Sequence, residues 1–428
     1  MMRRISYSGV FVRDTLMPSK LTIGHASRLV LALAFAALVA PVGALADAVI
    51  QGQGVGTTGG AGGAVVEPDS LAALKLALCS STDAAGACTD STPRIVLIHG
   101  SYDYRGSLKI NGAATTTETG CVVRACTNPA MQPQKALDRV DFCAGRTPTS
   151  VTYDNAGMRQ LLNVGSNKTL EGVGADALIQ GTGLMIRHAQ NVIVKNLSIT
   201  DINPEYVWGG DAIRLDNTDH VWLDHLKIAR IGRQMLVTGY GAARHVTVSN
   251  GEFDGVTTTS ASCDNHHYWL WLFLGSDDTL TLVDNYIHDT SGRGPHSGGL
   301  NNATIRAQIV NNYFKDLSRE GAIMSRTDKS SLLVEGNVFD NVSRPIYIYR
   351  KQPGPAFAPM TEQQGVACQA VLGRACASNL VLKPQGGDQQ LDGSVLAALQ
   401  SSAPALVTPM PAAAVQAYVL QHAGPGKP

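Results

Sequence analysis

The sequence predicts an all-β fold, a single-stranded right-handed parallel β-helix, and three observations carry that expectation. From Lys168 onward six segments share an alternating apolar run, a polar or asparagine position, and an apolar or aromatic residue shortly after. They are VIVKNLSI around Asn196, VWLDHLKI around His225, VTVSNGEF around Asn250, LTLVDNYI around Asn285, AQIVNNYF around Asn312 and LLVEGNVF around Asn337. The spacing, about 25–35 residues, is that of solenoid units, each too small to bury its apolar face alone. Composition agrees: 44 glycines against 16% charged residues mark a turn-rich β chain, because glycine and asparagine supply positive-φ corners. Each unit reads as a short strand, a bend at the polar residue and a second short strand. Stacking them sets Asn250, Asn285, Asn312 and Asn337 one above another as an internal amide ladder. Four asparagines at one phase of a repeat are not isolated turn residues, and a propeller would need four strands per unit.

The elements follow in chain order. Residues 1–46 read as a signal peptide: a basic region ends at Arg28, the apolar run Leu29–Val42 follows, and Ala44-Leu45-Ala46 precedes Asp47 as a small-residue cleavage pattern. The run is short for a membrane anchor. The long basic region admits Met17 as the true start, and Arg3-Arg4 lie too far from the apolar run to weigh as a twin-arginine signal. Residues 47–428 then form the β-helix domain with a tail packed on it. Asp69–Cys79 has helical apolar spacing behind Asp69 as its N-cap. Arg94–Ile98 is a strand, and Gly120–Arg146 is a cysteine-bearing loop without periodicity. The longest connection, Asp254–Asp278, is expected to wall a cleft. The repeat stops after Arg350, and Ala412–His422 forms a helix that packs back on the solenoid.

Balanced charge, 34 basic against 34 acidic residues, excludes a nucleic-acid footprint or a polybasic membrane surface. All eight cysteines follow the signal, so an exported chain should pair them. Cys79/Cys88 and Cys368/Cys376 are close enough to close small loops, whereas Cys121, Cys126, Cys143 and Cys263 must pair otherwise. No cysteine spacing resembles a zinc site.

Three charged positions stand out on different turns of the solenoid: Asp211 in GGD, Arg233 in RIGRQ and Arg293 in SGRGPH. Stacking can bring them to one face. Taken singly, an arginine beside an aspartate is most often a structural ion pair. Asp224 and His225 read as structural. Adjacent His266 and His267 on a strand face opposite sides and do not make a two-histidine metal site. Trp208, Trp269 and Trp271 are either core or sugar-stacking platforms beside a cleft.

VWGGDAI, VWLDH, ARIGRQ, Cys263–Trp269 with its HHYW, and SGRGP together resemble the pectin lyases of the first polysaccharide lyase family. The resemblance runs from about Ile95 to the terminal HAGPGKP. It implies a parallel β-helix that cleaves α-1,4-linked methyl-esterified galacturonan by β-elimination, leaving 4,5-unsaturated ends. It also implies disulfides Cys121–Cys143, Cys126–Cys263 and Cys368–Cys376, with Cys79–Cys88 as an additional pair. Arg293 is implied as the group that takes the C5 proton, Arg233 as the charge near the ester carbonyl, and Asp211 as the residue that holds Arg233. Trp208, Trp269, Trp271 and His296 are expected to bind substrate. A guanidinium resists deprotonation, so Arg293 needs neighbouring cations or acts partly through its charge.

The family divides into calcium-dependent pectate lyases and calcium-independent pectin lyases. Gly209 stands two before Asp211, and LKIARIGRQ after His225 has no acid. Calcium wants six to eight oxygens with several carboxylates, so no cofactor is expected. Two features depart from the family: His296-Ser297-Gly298 follows Pro295 where pectate lyases carry a second arginine, and Phe142 is the only large aromatic in Gly120–Arg146. The expected molecule is a secreted monomer acting on pectin. The alternatives are a calcium-dependent pectate lyase and a non-catalytic β-helix that binds polysaccharide.

Overall fold

The structure is a computed structural model that describes residues 49–299, 302–319, 322–348, 354–384, 386–387 and 390–427. The expected signal peptide lies outside the described residues. Parallel strands stack in ladders, as the repeats require. One ladder runs through Gln190–Lys195, Thr218–Asp224, Ala243–Ser249, Asp278–Val283, Ile305–Val310 and Ser330–Glu335. A second runs through Ser198–Ile202, Lys227–Ile231, Glu252–Asp254, Tyr286–His288, Tyr313–Leu317 and Val338–Val342. A third, of eight strands among the described residues, includes Ile213–Asp216, Leu236–Thr238, Trp271–Phe273, His296–Ser297 and Ile323–Ser325.

Alternation along each strand gives every rung an inner and an outer residue. Val192, Val221, Val246, Leu280, Ala307 and Leu332 share one inner register and are all buried. Each large aliphatic removed from water this way contributes roughly 1.5–3 kcal/mol. The outer register beside it carries Thr169, Thr247 and Thr281, whose hydroxyls accept the backbone N–H groups of Gly60, Gly54 and Gln53. The glycine-rich start of the mature chain is thus a strap laid across the rungs.

The bends sharpen the ladder expectation. Asn196, His225, Asn250, Asp284, Asn311 and Gly336 all adopt left-handed φ at the corner, between 48° and 64°. The amide ladder occupies the next position. Asn285 Nδ2 donates to Asn312 Oδ1 at 2.9 Å, Asn312 to Asn337 at 3.0 Å and Asn337 to Asn379 at 3.0 Å. Asn250 is therefore a corner residue bonded to Asp224, and Gly251 takes its place above Asn285.

Four other expectations are corrected. The first helix spans Leu71–Leu78, and Ser70 rather than Asp69 caps it by accepting from Ala73 N. The strand at Arg94 continues to Asp103, turning at Gly100. The cysteine-bearing segment is not wholly loop: Thr115–Val122 and Lys135–Leu137 pair antiparallel, and Pro148–Asp154 completes a hairpin-like layer. The repeat also outlasts Arg350, because Ala356–Phe357 and Leu380–Leu382 extend two ladders around the Cys368–Cys376 loop. The helix Ala412–His422 forms as expected and buries Val415 and Val419 against Tyr313 and Val338. Disulfides join Cys79 to Cys88, Cys121 to Cys143, Cys126 to Cys263 and Cys368 to Cys376.

Candidate active site

Asp211, Arg233 and Arg293 each sit just before a strand of the eight-stranded ladder, at the same edge. Two glycines allow this. A Cβ on Gly210 would lie 2.4 Å from the Gly157 carbonyl, and one on Gly232 would lie 2.5 Å from that of Tyr206. The intervening turn is held by Asn203, whose amide donates to the Asp154 and Gly209 carbonyls and accepts from Asp154 N. The GGD and RIGR motifs are therefore close-approach devices that seat the two charges.

Asp211 is 5% exposed and closes on Arg233 through two parallel bonds, Nε to Oδ1 at 2.8 Å and Nη2 to Oδ2 at 2.7 Å. Gln234 N donates to Oδ1 at 2.9 Å, and Arg214 Nε lies 3.7 Å from Oδ2. Burial alone would raise the Asp211 pKa; the Arg233 charge and hydrogen bonds, with Arg214, outweigh it and hold the group below its ordinary value. The carboxylate is ionised and its oxygens are committed. Arg233 lies over Trp208, 4.0 Å from the ring centroid, and its side chain is 13% exposed. Two N–H groups serve Asp211, so the remaining three of its five can face a ligand.

Arg293 belongs two rungs further on, about 10 Å by strand spacing. The Trp269–Trp271 segment lies between. Met235 N donates to Trp269 O, and Trp271 N donates to Arg293 O. The Arg293 guanidinium stands 4.7 Å from the Trp269 ring and 5.6 Å from Tyr268. Its backbone is left-handed at φ 60°, a costly conformation for a residue other than glycine.

The four expected substrate-binding residues divide. Trp208 lines a cavity of about 290 Å³ with Arg139, Met158, Asp211, Arg214 and Arg233. His296 faces outward on the ladder, with Nε2 3.3 Å from Arg326 Nη1. Burial, then the charges of Arg293 and Arg326, push its pKa down to about 3, so the imidazole is neutral. Trp269 is no open platform: it is 8% exposed, carries Arg293 and donates from Nε1 to Gln134. Trp271 is a core residue, fully buried and edge-on to Phe253 at 4.8 Å. Strand alternation decides it, since Leu272 is the outward residue of that strand.

Sequence reasoning missed several neighbours. Arg214, three residues after Asp211, flanks the pair, and that spacing was a readable signal. Val237, Leu272, His296 and Met324 form one outward row beside the charged edge. Val237, Leu272 and Leu274 pack together there as a small buried apolar cluster. His267 is buried and its Nε2 lies 2.8 Å from the Arg233 carbonyl; burial pushes its pKa down to about 4, leaving a neutral ring to brace that loop.

The fold and site define a parallel β-helix with an acid–arginine pair and a further arginine at one edge of a ladder, the architecture of a polysaccharide lyase. The pectate lyase family matches residues 26–428, and the chain belongs to that family. Probable pectin lyase F-2 of Aspergillus terreus is 40% identical over 378 residues, 88% of this chain and 73% of that protein. Pectin lyase B of Emericella nidulans is 40% identical over 400 residues, 92% and 97% of the two chains. Among solved structures, the pectate lyase of Bacillus sp. N165 in complex with trigalacturonate superposes with TM-score 0.53 at 17% identity, covering 88% of this chain and 99% of that one. A pectate lyase bound to hexasaccharide gives TM-score 0.54 at 18% identity, with 88% and 97% covered.

Proposed function

We propose that this chain is a secreted, calcium-independent pectin lyase that cleaves methyl-esterified α-1,4-galacturonan by β-elimination. The observation that carries the reading is the Asp211–Arg233 pair. A family member that uses calcium needs free carboxylate oxygens at this edge. Here Asp211 is the one acid among the residues lining the cavity, Arg233 holds both of its oxygens, and Arg214 stands beside it. These residues do not fit a calcium ion, and no step passes through one.

A methyl ester leaves the uronate neutral and already acidifies C5–H, so a fixed cation suffices where the charge develops. Arg293 takes the C5 proton, which requires its neutral guanidine form, reached by first releasing a proton to solvent. The electrons of that C–H bond form the C4–C5 double bond, the C4–O bond breaks, and the departing oxygen takes a proton from water. Arg233 stabilises the enolate-like charge on the ester carbonyl through its uncommitted N–H groups. His296, kept neutral by burial and the nearby Arg293 and Arg326, adds no charge of its own beside the ester. The relatives named pectin lyase agree with this specificity.

The test is ultraviolet absorbance of the unsaturated product on highly methylated pectin. Signal from the wild-type protein and none from Arg293→Ala, with the variant's far-ultraviolet dichroism unchanged, is expected. Binding of pectin without an unsaturated product would instead identify a carbohydrate-binding β-helix. Full activity in Arg293→Ala would remove the role given to that arginine.

A further inference from the structure

The first two ladders carry a second cluster of polar groups, away from the lyase edge. Asp219 and His220 open the strand Thr218–Asp224, and His245 lies one rung on in Ala243–Ser249. The register sets Asp219 opposite Arg244, so His220 and His245 stack directly. Both are corner residues with left-handed backbone, φ 54° and 50°. That geometry turns the two rings outward, 4.6 Å apart and tilted by 31°. Both Nδ1 atoms point at one oxygen: His220 Nδ1 lies 2.7 Å and His245 Nδ1 2.6 Å from Asp219 Oδ1. All three ligand atoms fall within 4.8 Å of one another, and the three side chains are 38–44% exposed.

We propose that Asp219, His220 and His245 form a binding site for a divalent transition-metal ion of the zinc class. Two imidazole nitrogens and one carboxylate oxygen are borderline donors that suit Zn²⁺, Ni²⁺ or Cu²⁺, whereas Ca²⁺ and Mg²⁺ want a shell of oxygens. Convergence of both nitrogens on one oxygen means that a single cation can replace the shared protons. The open side leaves room for water as the remaining ligand. The stacked rungs fix the backbone of all three residues, so little order need be gained on binding.

A second convergent group makes the contrast. Glu252, Asp254 and His288 also lie within ligand reach of one another. There Lys227 Nζ sits 2.6 Å from Glu252 and 3.5 Å from Asp254, and the ammonium takes the place of a cation. Beside Asp219 the nearby Arg244 is instead paired with Asp277 at 2.7 Å. Only the histidine pair is left addressed to an incoming ion.

The consequence is a clamp. The glycine strap passes here, where a Cβ on Gly56 would stand 3.9 Å from His220 Nε2. An ion that binds the folded rungs and not the unfolded chain raises the unfolding midpoint. It should leave pectin cleavage untouched, since the lyase residues stand on another ladder.

The experiment loads the full mature protein with Zn²⁺, removes loosely held ion with a competing chromophoric chelator, and measures retained zinc and the unfolding midpoint. The comparison variant is His220→Asn/His245→Asn, because asparagine tolerates the left-handed corner and Asn191 already occupies the equivalent corner one rung before. Retention of one ion per chain and a raised midpoint in the wild type, both lost in the double variant, are expected. Equal retention by the two proteins, or none by the wild type, would overturn the site. Retention without a raised midpoint would overturn the clamp.

Discussion

At the scale of single residues, the account turns on how each charge is held. Asp211 and Arg233 form a planar, two-point pair that lysine cannot reproduce. Arg233→Lys should therefore keep the fold while kcat on methylated pectin falls about 10²–10³-fold, the usual cost of one charge-stabilising donor. Steady-state kinetics with a parallel melting curve separates the two. Asp284 gives a pH prediction. Burial, then repulsion from Asp224, pushes its pKa up to about 7, and its Oδ1 has no hydrogen-bond partner among the described residues. A folded-state pKa raised above the ordinary carboxylate value means that folding binds a proton. Stability contributed by this group is thus lost as pH rises from the ordinary value through about 7. Asp284→Asn, which keeps the shape without the charge, should stabilise the protein at pH ~8 by on the order of 1–3 kcal/mol and change little at pH ~4. Chemical denaturation at the two pH values checks it. Of the site, Asp211, Arg233 and Arg293 were readable because each lies in a short motif dense in charge and glycine. Trp271 was misread because a tryptophan's type does not say which face of its strand it takes. Arg139 and Arg326 gave no local signal at all, since only the stacking of distant rungs brings them near.

At the scale of elements, the corners specify the solenoid more tightly than the strands do. Left-handed corners recur at Asn196, His225, Asn250, Asp284, Asn311 and Gly336, and the amide ladder begins one position later at Asn285. The alternating runs made the strands legible, but the first three repeats carry their polar residue at the corner and the last three carry an asparagine after it. A one-residue offset was invisible until the register was known. Asn312 both donates to and accepts from its neighbours within a fully buried row. Asn312→Ala should leave two buried partners unsatisfied and cost about 2–5 kcal/mol, read as a lower denaturation midpoint with lyase kinetics retained at moderate temperature. The Thr115–Val122 hairpin escaped notice for a different reason. Its threonine-rich run alternates in burial without alternating in hydrophobicity.

At the scale of the whole molecule, the fold class was legible because a solenoid repeats its instructions, and the long insertions were not, because they do not repeat. The segment that carries Arg139 and Phe142 is closed on itself by Cys121–Cys143 and tied to the body by Cys126–Cys263. The second bridge spans 137 residues, and closing so large a loop contributes roughly 4–5 kcal/mol by restricting the unfolded chain. Cys126→Ser/Cys263→Ser should lower the unfolding midpoint by several degrees and raise KM more than it lowers kcat. Thermal denaturation and pectin kinetics report the two effects.

The central claim is that Arg233, held by Asp211, and not a metal, answers the substrate's carboxyl group. The direct measurement is the initial rate of unsaturated-product formation on galacturonans of graded methyl esterification, each with excess chelator and with added calcium. The account predicts a rate that climbs with esterification and is the same under both conditions. A rate that is greatest on polygalacturonate, vanishes with chelator and returns with calcium would contradict it.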